Sequence, residues 1–228
     1  STISVIHKRL RRLHPEECPE CNAGILKGAL TSCYATLPAL CRGLRRMASY
    51  HCSVKPVSRG VGRSGTAAAA YRAGVCLKDE RTGEVHDYTR KQGVEHTELV
   101  FPSGVNMSRE ELWNAAEGAE KRKDARIARE FELALPAELT KEQRRELATD
   151  FAKSLVDNYG VAADVALHEP SRKGDQRNHH AHILITTRQV TVEGLGVNTD
   201  LEQEDKALRA QGKPTGREQI EHLRGEWA

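Results

Sequence analysis

Three histidines fall within four positions, at 179, 180 and 182, in the segment GDQRNHHAHILITTR, whose β-branched ending is typical of a strand. Because side chains alternate between the faces of a strand, His180 and His182 should point the same way and His179 the opposite way. His168 ends the preceding predicted strand, VAADVALHE, and the intervening loop is long enough to bring it beside His180. Three imidazoles that converge from two strands form a metal site with positions left for a substrate oxygen.

The alternative for each of these histidines is a surface residue or a hydrogen-bonded core residue. That explanation suffices for a single histidine, but a His-x-His pair on an apolar strand with a third histidine in register favours a metal. Imidazole ligands by themselves favour Zn, Mn or Ni over Mg.

A pair of carboxylates lies in the segment REFELALP, which alternates as a half-buried strand. Glu130 and Glu132 lie on the face opposite Phe131, Leu133 and Leu135. A carboxylate there could orient a ligand imidazole by accepting its second N–H. The two glutamates could equally form the solvated face of an edge strand, and the residues alone leave both readings open.

The net charge of +3 is small, but the basic residues are unevenly placed. The stretch from residue 50 to residue 78 has five basic residues and no acidic one: Lys55, Arg59, Arg63, Arg72 and Lys78. A second loop adds Lys173 and Arg177. Two basic loops could face one polyanion such as DNA. Charge runs taken alone are more often solvated loops. A DNA-binding role for these loops therefore depends on the other motifs in the sequence.

The overall composition bounds the class of protein. With 38% hydrophobic and 4% aromatic residues, the chain of 228 residues suits an α/β or α+β enzyme domain. It has no run of 18 apolar residues and no signal-peptide pattern, so we expect a cytoplasmic protein without a membrane association.

Residues 1–46 differ from the rest of the chain, because they hold four of the six cysteines and most of the excess positive charge. We expect them to be a leader, a linker or an upstream translated segment, and the main domain to span residues 47–228. Cys18 and Cys21 have the spacing of a zinc knuckle, but a second close pair is missing.

The predicted elements after Met47 favour the α+β class, with a mainly antiparallel central sheet flanked by helices. Pro56 is expected to end the first strand, and Gly74 to close a short helix over TAAAAYRAG. Capping boxes at Ser108 and Thr140 predict two longer helices, the first covering SREELWNAAEGAEKRKDARIA. The tail after Thr191 is mostly polar, and we expect the domain to be cut in mid-element at its carboxyl end.

Three segments, SGTAAAAYRAG, REFELALPAEL and LHEPSRKGDQRNHHAHILITTR, in this order and spacing resemble the MobA/MobL family of plasmid mobilisation relaxases. This family is a branch of the His-hydrophobic-His (HUH) nucleases, and the resemblance covers about residues 47–228. It implies a site- and strand-specific nickase that attacks single-stranded origin-of-transfer DNA through a tyrosine, forming a 5′-phosphotyrosine intermediate. It also implies accessory DNA-binding proteins and coupling proteins of the transfer machinery as partners.

Carried over residue by residue, the resemblance places the nucleophile at Tyr71 and the metal ligands at His168, His180 and His182. It makes Glu132 the carboxylate partner and Glu130 a second carboxylate, with Mg or Mn as the ion. The implied DNA contacts come from the basic residues of the two loops: Lys55, Arg59, Arg63, Arg72, Lys173 and Arg177.

Other interpretations remain open from the residues. Tyr71 could be an aromatic packed on a small helix, and Tyr50 and Tyr88 are rival nucleophiles that lack the AAYR context. The alternative functions are a replication-initiating nickase of the same superfamily and a non-catalytic nucleic-acid-binding or zinc-binding protein.

Overall fold

The computed structural model describes residues 51–227. The predicted amino-terminal segment 1–46, the Cys18 and Cys21 pair, and Tyr50 lie outside the described residues.

A five-stranded sheet forms the centre of the described chain. Its strands are β1 (Cys52–Ser58), β4 (Val94–Val100), β5 (Arg126–Leu135), β6 (Ala163–His168) and β7 (His179–Thr186). Their order is β1-β5-β7-β6-β4, and every neighbouring pair is antiparallel. The predicted α+β class with an antiparallel central sheet is therefore confirmed.

Two hairpins and five helices complete the described architecture. The hairpins join β2 (Cys76–Lys78) to β3 (Val85–Asp87) and β8 (Arg188–Thr191) to β9 (Gly194–Asn198). The helices are α1 (Gly65–Ala73), α2 (Arg109–Ala119), α3 (Lys141–Tyr159), α4 (Asp205–Ala210) and α5 (Gly216–Trp227). Short 3-10 turns cover Arg59–Val61 and Asp200–Glu202. None of the helices between residues 51 and 227 is long and apolar enough to cross a membrane.

The two faces of the sheet differ in what they pack against. On one face, Phe131 and Ile183 pack with residues of α3 and α5 in the larger apolar core. On the other face, Leu184 packs with small residues of α1 and with Trp113 of α2 in a second core. Because β5 and β7 extend beyond this second core, their polar residues on the same face remain available to form a site.

Local capping signals set the predicted starts of α2 and α3 and the predicted end of α1. Ser108 and Thr140 each form a complete capping box, and Ser64 caps α1. Gly74 and Gly160 end α1 and α3 in the left-handed conformation, each with φ of 66°. These caps fix where α1 stops, which places Tyr71 in its last turn.

Two sequence-based expectations about elements were wrong. Pro56 does not end β1, because β1 is an edge strand, the place in a sheet where a proline is tolerated. The helix from Ser108 ends at Ala119, and Arg126–Leu135 already forms β5. The polar tail is ordered as β9, α4 and α5, which bury isolated apolar residues such as Leu208 and Trp227.

Candidate metal centre and nucleophile

The three histidines converge because of the register between β6 and β7. His168 lies directly opposite His180, and His182 follows two residues later on the same face. One potential ligand atom from each ring lies within 4.8 Å of those of the other two rings. His179 is paired with Leu135, which belongs to the core of the opposite face. The predicted convergence of His168, His180 and His182, without His179, is thus present.

Each ring uses one nitrogen in a hydrogen bond that orients it. His168 Nε2 lies 2.7 Å from the carbonyl oxygen of Arg72, and His180 Nδ1 lies 3.1 Å from that of Asn178. His182 Nδ1 lies 2.7 Å from Glu130 Oε1. A second nitrogen on each ring remains as a potential ligand, which is the usual division of roles in a histidine metal site.

Burial keeps two histidines of the triad, His168 and His180, in the form that binds cations. Desolvation lowers the pKa of His168 to about 4, and it also lowers the pKa of His180. Both imidazoles are therefore neutral at physiological pH, and a neutral imidazole has a lone pair to offer. The donor set fits a divalent transition metal.

Glu130 has a buried carboxylate that accepts hydrogen bonds from two side chains. Arg72 binds it through Nε and Nη2, both at 2.5 Å, and the same carboxylate accepts from His182. Burial alone would raise the pKa of Glu130, but the hydrogen bonds from His182 and Arg72 outweigh it and lower the pKa to about 2. The glutamate is therefore ionised and holds both Arg72 and His182 in place.

The structure reverses the order of the two carboxylates expected from the sequence. Glu132 is the residue directly opposite His182, yet its side chain pairs with Lys55 at 3.0 Å. Glu130 reaches His182 diagonally. Arg72, on α1, binds Glu130 and fixes its carboxylate beside the His182 imidazole. Glu130 is therefore the carboxylate partner of the triad.

Tyr71 is half-exposed at the last turn of α1, at 49% of its full accessibility. Its ring meets Tyr88 edge to face, with centroids 5.2 Å apart. Lys91 Nζ lies 3.8 Å from the centre of the Tyr71 ring. One open cleft of about 410 Å³ is lined by Tyr71, Glu130, Glu132 and His182. The predicted nucleophile and one histidine of the triad therefore share a surface.

The six basic residues predicted to contact DNA divide into two groups. Lys55 and Arg63 line the cleft, and Lys173 and Arg177 are exposed in the loop before β7. Arg72 also lines the cleft, but Arg59 and Arg72 differ from the other four in that each binds a buried acid. Arg59 binds the buried Glu117 and three backbone carbonyls, and Arg72 binds Glu130. The sequence of a basic loop does not reveal that these two arginines pair with buried acids, and their contacts with DNA stay a prediction.

Sequence reasoning missed Lys91, and only its position in the fold brings it to Tyr71. It lies on the loop between β3 and β4, 20 residues after the tyrosine, and donates to the Tyr71 carbonyl oxygen at 2.7 Å. Nothing in the local sequence RKQG distinguishes it from an exposed loop lysine.

Comparisons with known proteins identify the family. The MobA/MobL family model matches residues 63–228, and the chain belongs to that family. It is 50% identical to mobilization protein MobL of Acidithiobacillus ferridurans, over 65% of this chain and 45% of that protein. It is 37% identical to conjugal transfer protein TraA of Agrobacterium fabrum, over 66% of this chain and 14% of that protein. A 43 kDa relaxation protein of Salmonella typhimurium is 36% identical over 62% of this chain and 35% of its own length.

The fold is also similar to that of a solved structure. That structure is described as the molecular basis of vancomycin resistance transfer in Staphylococcus aureus, and it superposes with a TM-score of 0.62 at 29% identity. The match covers 78% of this chain and 91% of that chain. The chain spans less than half the length of the three curated relatives named above.

Proposed function

We propose that this chain is the relaxase part of a plasmid mobilisation protein, a metal-dependent DNA strand transferase that nicks single-stranded origin-of-transfer DNA. The observation that carries the proposal is the cleft that Tyr71 and His182 both line. His182 belongs to the triad that it forms with His168 and His180. The relatives named for mobilization, conjugal transfer and relaxation support the same function.

The triad would hold a divalent cation, with Mg or Mn implied by the family and Zn or Ni compatible with the ligands. The fit rests on three convergent imidazoles, each oriented by a hydrogen bond through its other nitrogen. When bound there, the cation would offset the charge of the scissile phosphate and fix its geometry for in-line displacement. Three protein ligands leave positions for phosphate oxygens, as in a catalytic centre.

Tyr71 supplies the attacking oxygen in this proposal. Its Oη forms a bond to the phosphorus while the bond from phosphorus to the 3′ oxygen breaks. The phenolic proton is released, and the departing 3′ oxygen takes up a proton to become a free 3′-hydroxyl. The product is a 5′-phosphotyrosine, which keeps a phosphodiester bond in place of the one broken, so attack by a 3′-hydroxyl reseals the strand.

The remaining residues position the DNA and the triad. Lys55 and Arg63, on the cleft wall, and Lys173 and Arg177, on the exposed loop, are suited to contact phosphates that flank the scissile one. Glu130 acts through His182, and Arg72 holds Glu130 in place. Accessory DNA-binding proteins and coupling proteins of the transfer machinery are the partners proposed for the whole protein.

The proposal is tested by mixing the protein with labelled single-stranded origin DNA of the element that encodes it, with and without Mn or Mg. We expect a nicked product and a slow-migrating covalent band on a denaturing gel, both lost on chelation. His180→Ala should abolish both products, whereas His179→Ala, which lies on the opposite face, should leave them nearly unchanged. Equal activity of His180→Ala and the unmodified protein would contradict a catalytic metal at the triad.

A further inference from the structure

Lys91 occupies an unusual place for a loop lysine. The loop turns back on itself through a hydrogen bond from the Lys91 amide to the Tyr88 carbonyl, at 2.9 Å. Its ammonium group then reaches the last turn of α1, where it donates to the Tyr71 carbonyl oxygen at 2.7 Å. Tyr71 is one of the last four residues of the helix, whose carbonyl groups have no hydrogen-bond donor within the helix.

The same ammonium group lies over the face of the Tyr71 ring, 3.8 Å from its centre. Cations are attracted to the negative face of an aromatic ring, and more strongly when water is excluded. The Tyr71 ring also meets the Tyr88 ring edge to face, so it contacts both a cation and a second aromatic ring. Lys91 therefore touches both the backbone and the ring of the proposed nucleophile.

Its surroundings are cationic or neutral. Arg72 adjoins Tyr71 on α1, and the charge of Lys91 helps to lower the pKa of His168 on β6 and of His180 on β7. Burial, followed by the charge of Arg72, lowers the pKa of Lys91 to about 8. A lysine whose charge is disfavoured by burial and by a neighbouring cation is often part of a functional site.

We propose that Lys91 is a positioning residue for Tyr71 that also stabilises the negative charge of its oxygen, on the basis that Tyr71 is the nucleophile of the proposed function. A phenol attacks phosphorus as it loses its proton, and the resulting charge spreads into the ring over which Lys91 lies. The same charge returns when the phosphotyrosine is resealed and the phenolate is the leaving group. Lys91 therefore assists cleavage and resealing alike.

The competing explanation is that Lys91 only caps α1. Lys91→Gln keeps a donor for the Tyr71 carbonyl but removes the charge, and Lys91→Arg keeps a charge. We expect Lys91→Gln to slow single-turnover formation of the covalent adduct by roughly 10- to 100-fold. The affinities for Mn and for single-stranded DNA should be unchanged, and Lys91→Arg should restore much of the rate. Arg90→Gln removes a neighbouring exposed charge and should stay within about twofold of the unmodified protein.

A second measurement depends on the phenol itself. Placing 3,5-difluorotyrosine, a more acidic phenol, at position 71 should recover a large part of the rate lost in Lys91→Gln. A purely structural role predicts no such recovery. An unmodified protein that forms no adduct would overturn the proposed function and this inference together. An unmodified protein that forms the adduct, with Lys91→Gln equally fast, would overturn the role of Lys91 alone.

Discussion

At the scale of single residues, Glu130 connects α1 to the histidine triad. Its buried carboxylate receives Arg72 from the helix and His182 from the neighbouring strand. Glu132, on the same face, is only partly buried and pairs with Lys55, whose side chain is 53% exposed. An exposed pair of this kind contributes little, whereas a carboxylate that orients a ligand imidazole contributes strongly to metal affinity.

We therefore predict that Glu130→Gln weakens Mn binding by about 10- to 100-fold. A neutral glutamine holds the imidazole N–H and the guanidinium less strongly than the ionised glutamate does. Glu132→Gln is the matched control and should change Mn affinity by less than about threefold. Isothermal titration with Mn measures both. A larger effect at Glu132 would restore the order expected from the sequence.

The sequence could predict the triad but not the choice between the two glutamates. Strand alternation alone places His180 and His182 together and His179 opposite, and that much needs no tertiary information. Alternation also places Glu130 and Glu132 on one face, where they are equivalent. Arg72 decides between them, and its reach from α1 depends on how the helix packs on the sheet.

At the scale of elements, α1 positions Tyr71 through a close approach to the sheet. A Cβ added at Gly65 would lie 2.6 Å from Cγ2 of Ile127, a fully buried, β-branched side chain with little freedom to move. The amide of Gly65 also donates to the buried Glu117 at 2.7 Å. Because Gly65 begins the helix, a displacement there moves Tyr71 at the other end.

We predict that Gly65→Ala lowers the free energy of unfolding by about 1 to 3 kcal/mol through overpacking. It should also slow adduct formation more than it weakens Mn binding, since the triad lies on the strands. Gly118→Ala in α2 meets no atom within 4 Å and should stabilise the fold by roughly 0.5 to 1 kcal/mol. Chemical denaturation and single-turnover assays distinguish these results, and a neutral Gly65→Ala would show that α1 can shift freely.

The starts of α2 and α3 were predictable because capping is local, as Ser108 and Thr140 illustrate. The strand through Pro56 was not, since a proline is acceptable only once β1 is known to be an edge. The hairpin of β2 and β3 was also missed. Strands of three residues are too short to show a periodic pattern.

At the scale of the whole molecule, the carboxyl-terminal residues close the larger core. Trp227 is 3% exposed and meets Phe151 of α3 edge to face, with centroids 5.4 Å apart. Leu223 on the same helix is also buried in this core. The polar composition of the tail concealed this packing, because a few widely spaced apolar residues are enough to dock an amphipathic helix.

We predict that Trp227→Ala lowers the free energy of unfolding by about 3 kcal/mol, the lower range for removing a buried aromatic side chain. His222→Ala, on the same helix with a side chain 77% exposed, should change it by less than about 0.5 kcal/mol. Urea denaturation followed by circular dichroism measures both. Equal stability of Trp227→Ala and the unmodified protein would mean that α5 adds nothing to the core.

The central claim is that Tyr71 forms a covalent bond to DNA in the cleft it shares with His182. The most direct measurement is peptide mapping by mass spectrometry of the protein after reaction with single-stranded origin DNA and Mn, followed by nuclease trimming. We expect the nucleotide mass on the peptide that contains Tyr71, a free 3′-hydroxyl on the released fragment, and no adduct with Tyr71→Phe, while Tyr88→Phe still forms it. An adduct on the peptide that contains Tyr88, or nicked DNA without any adduct, would contradict the account.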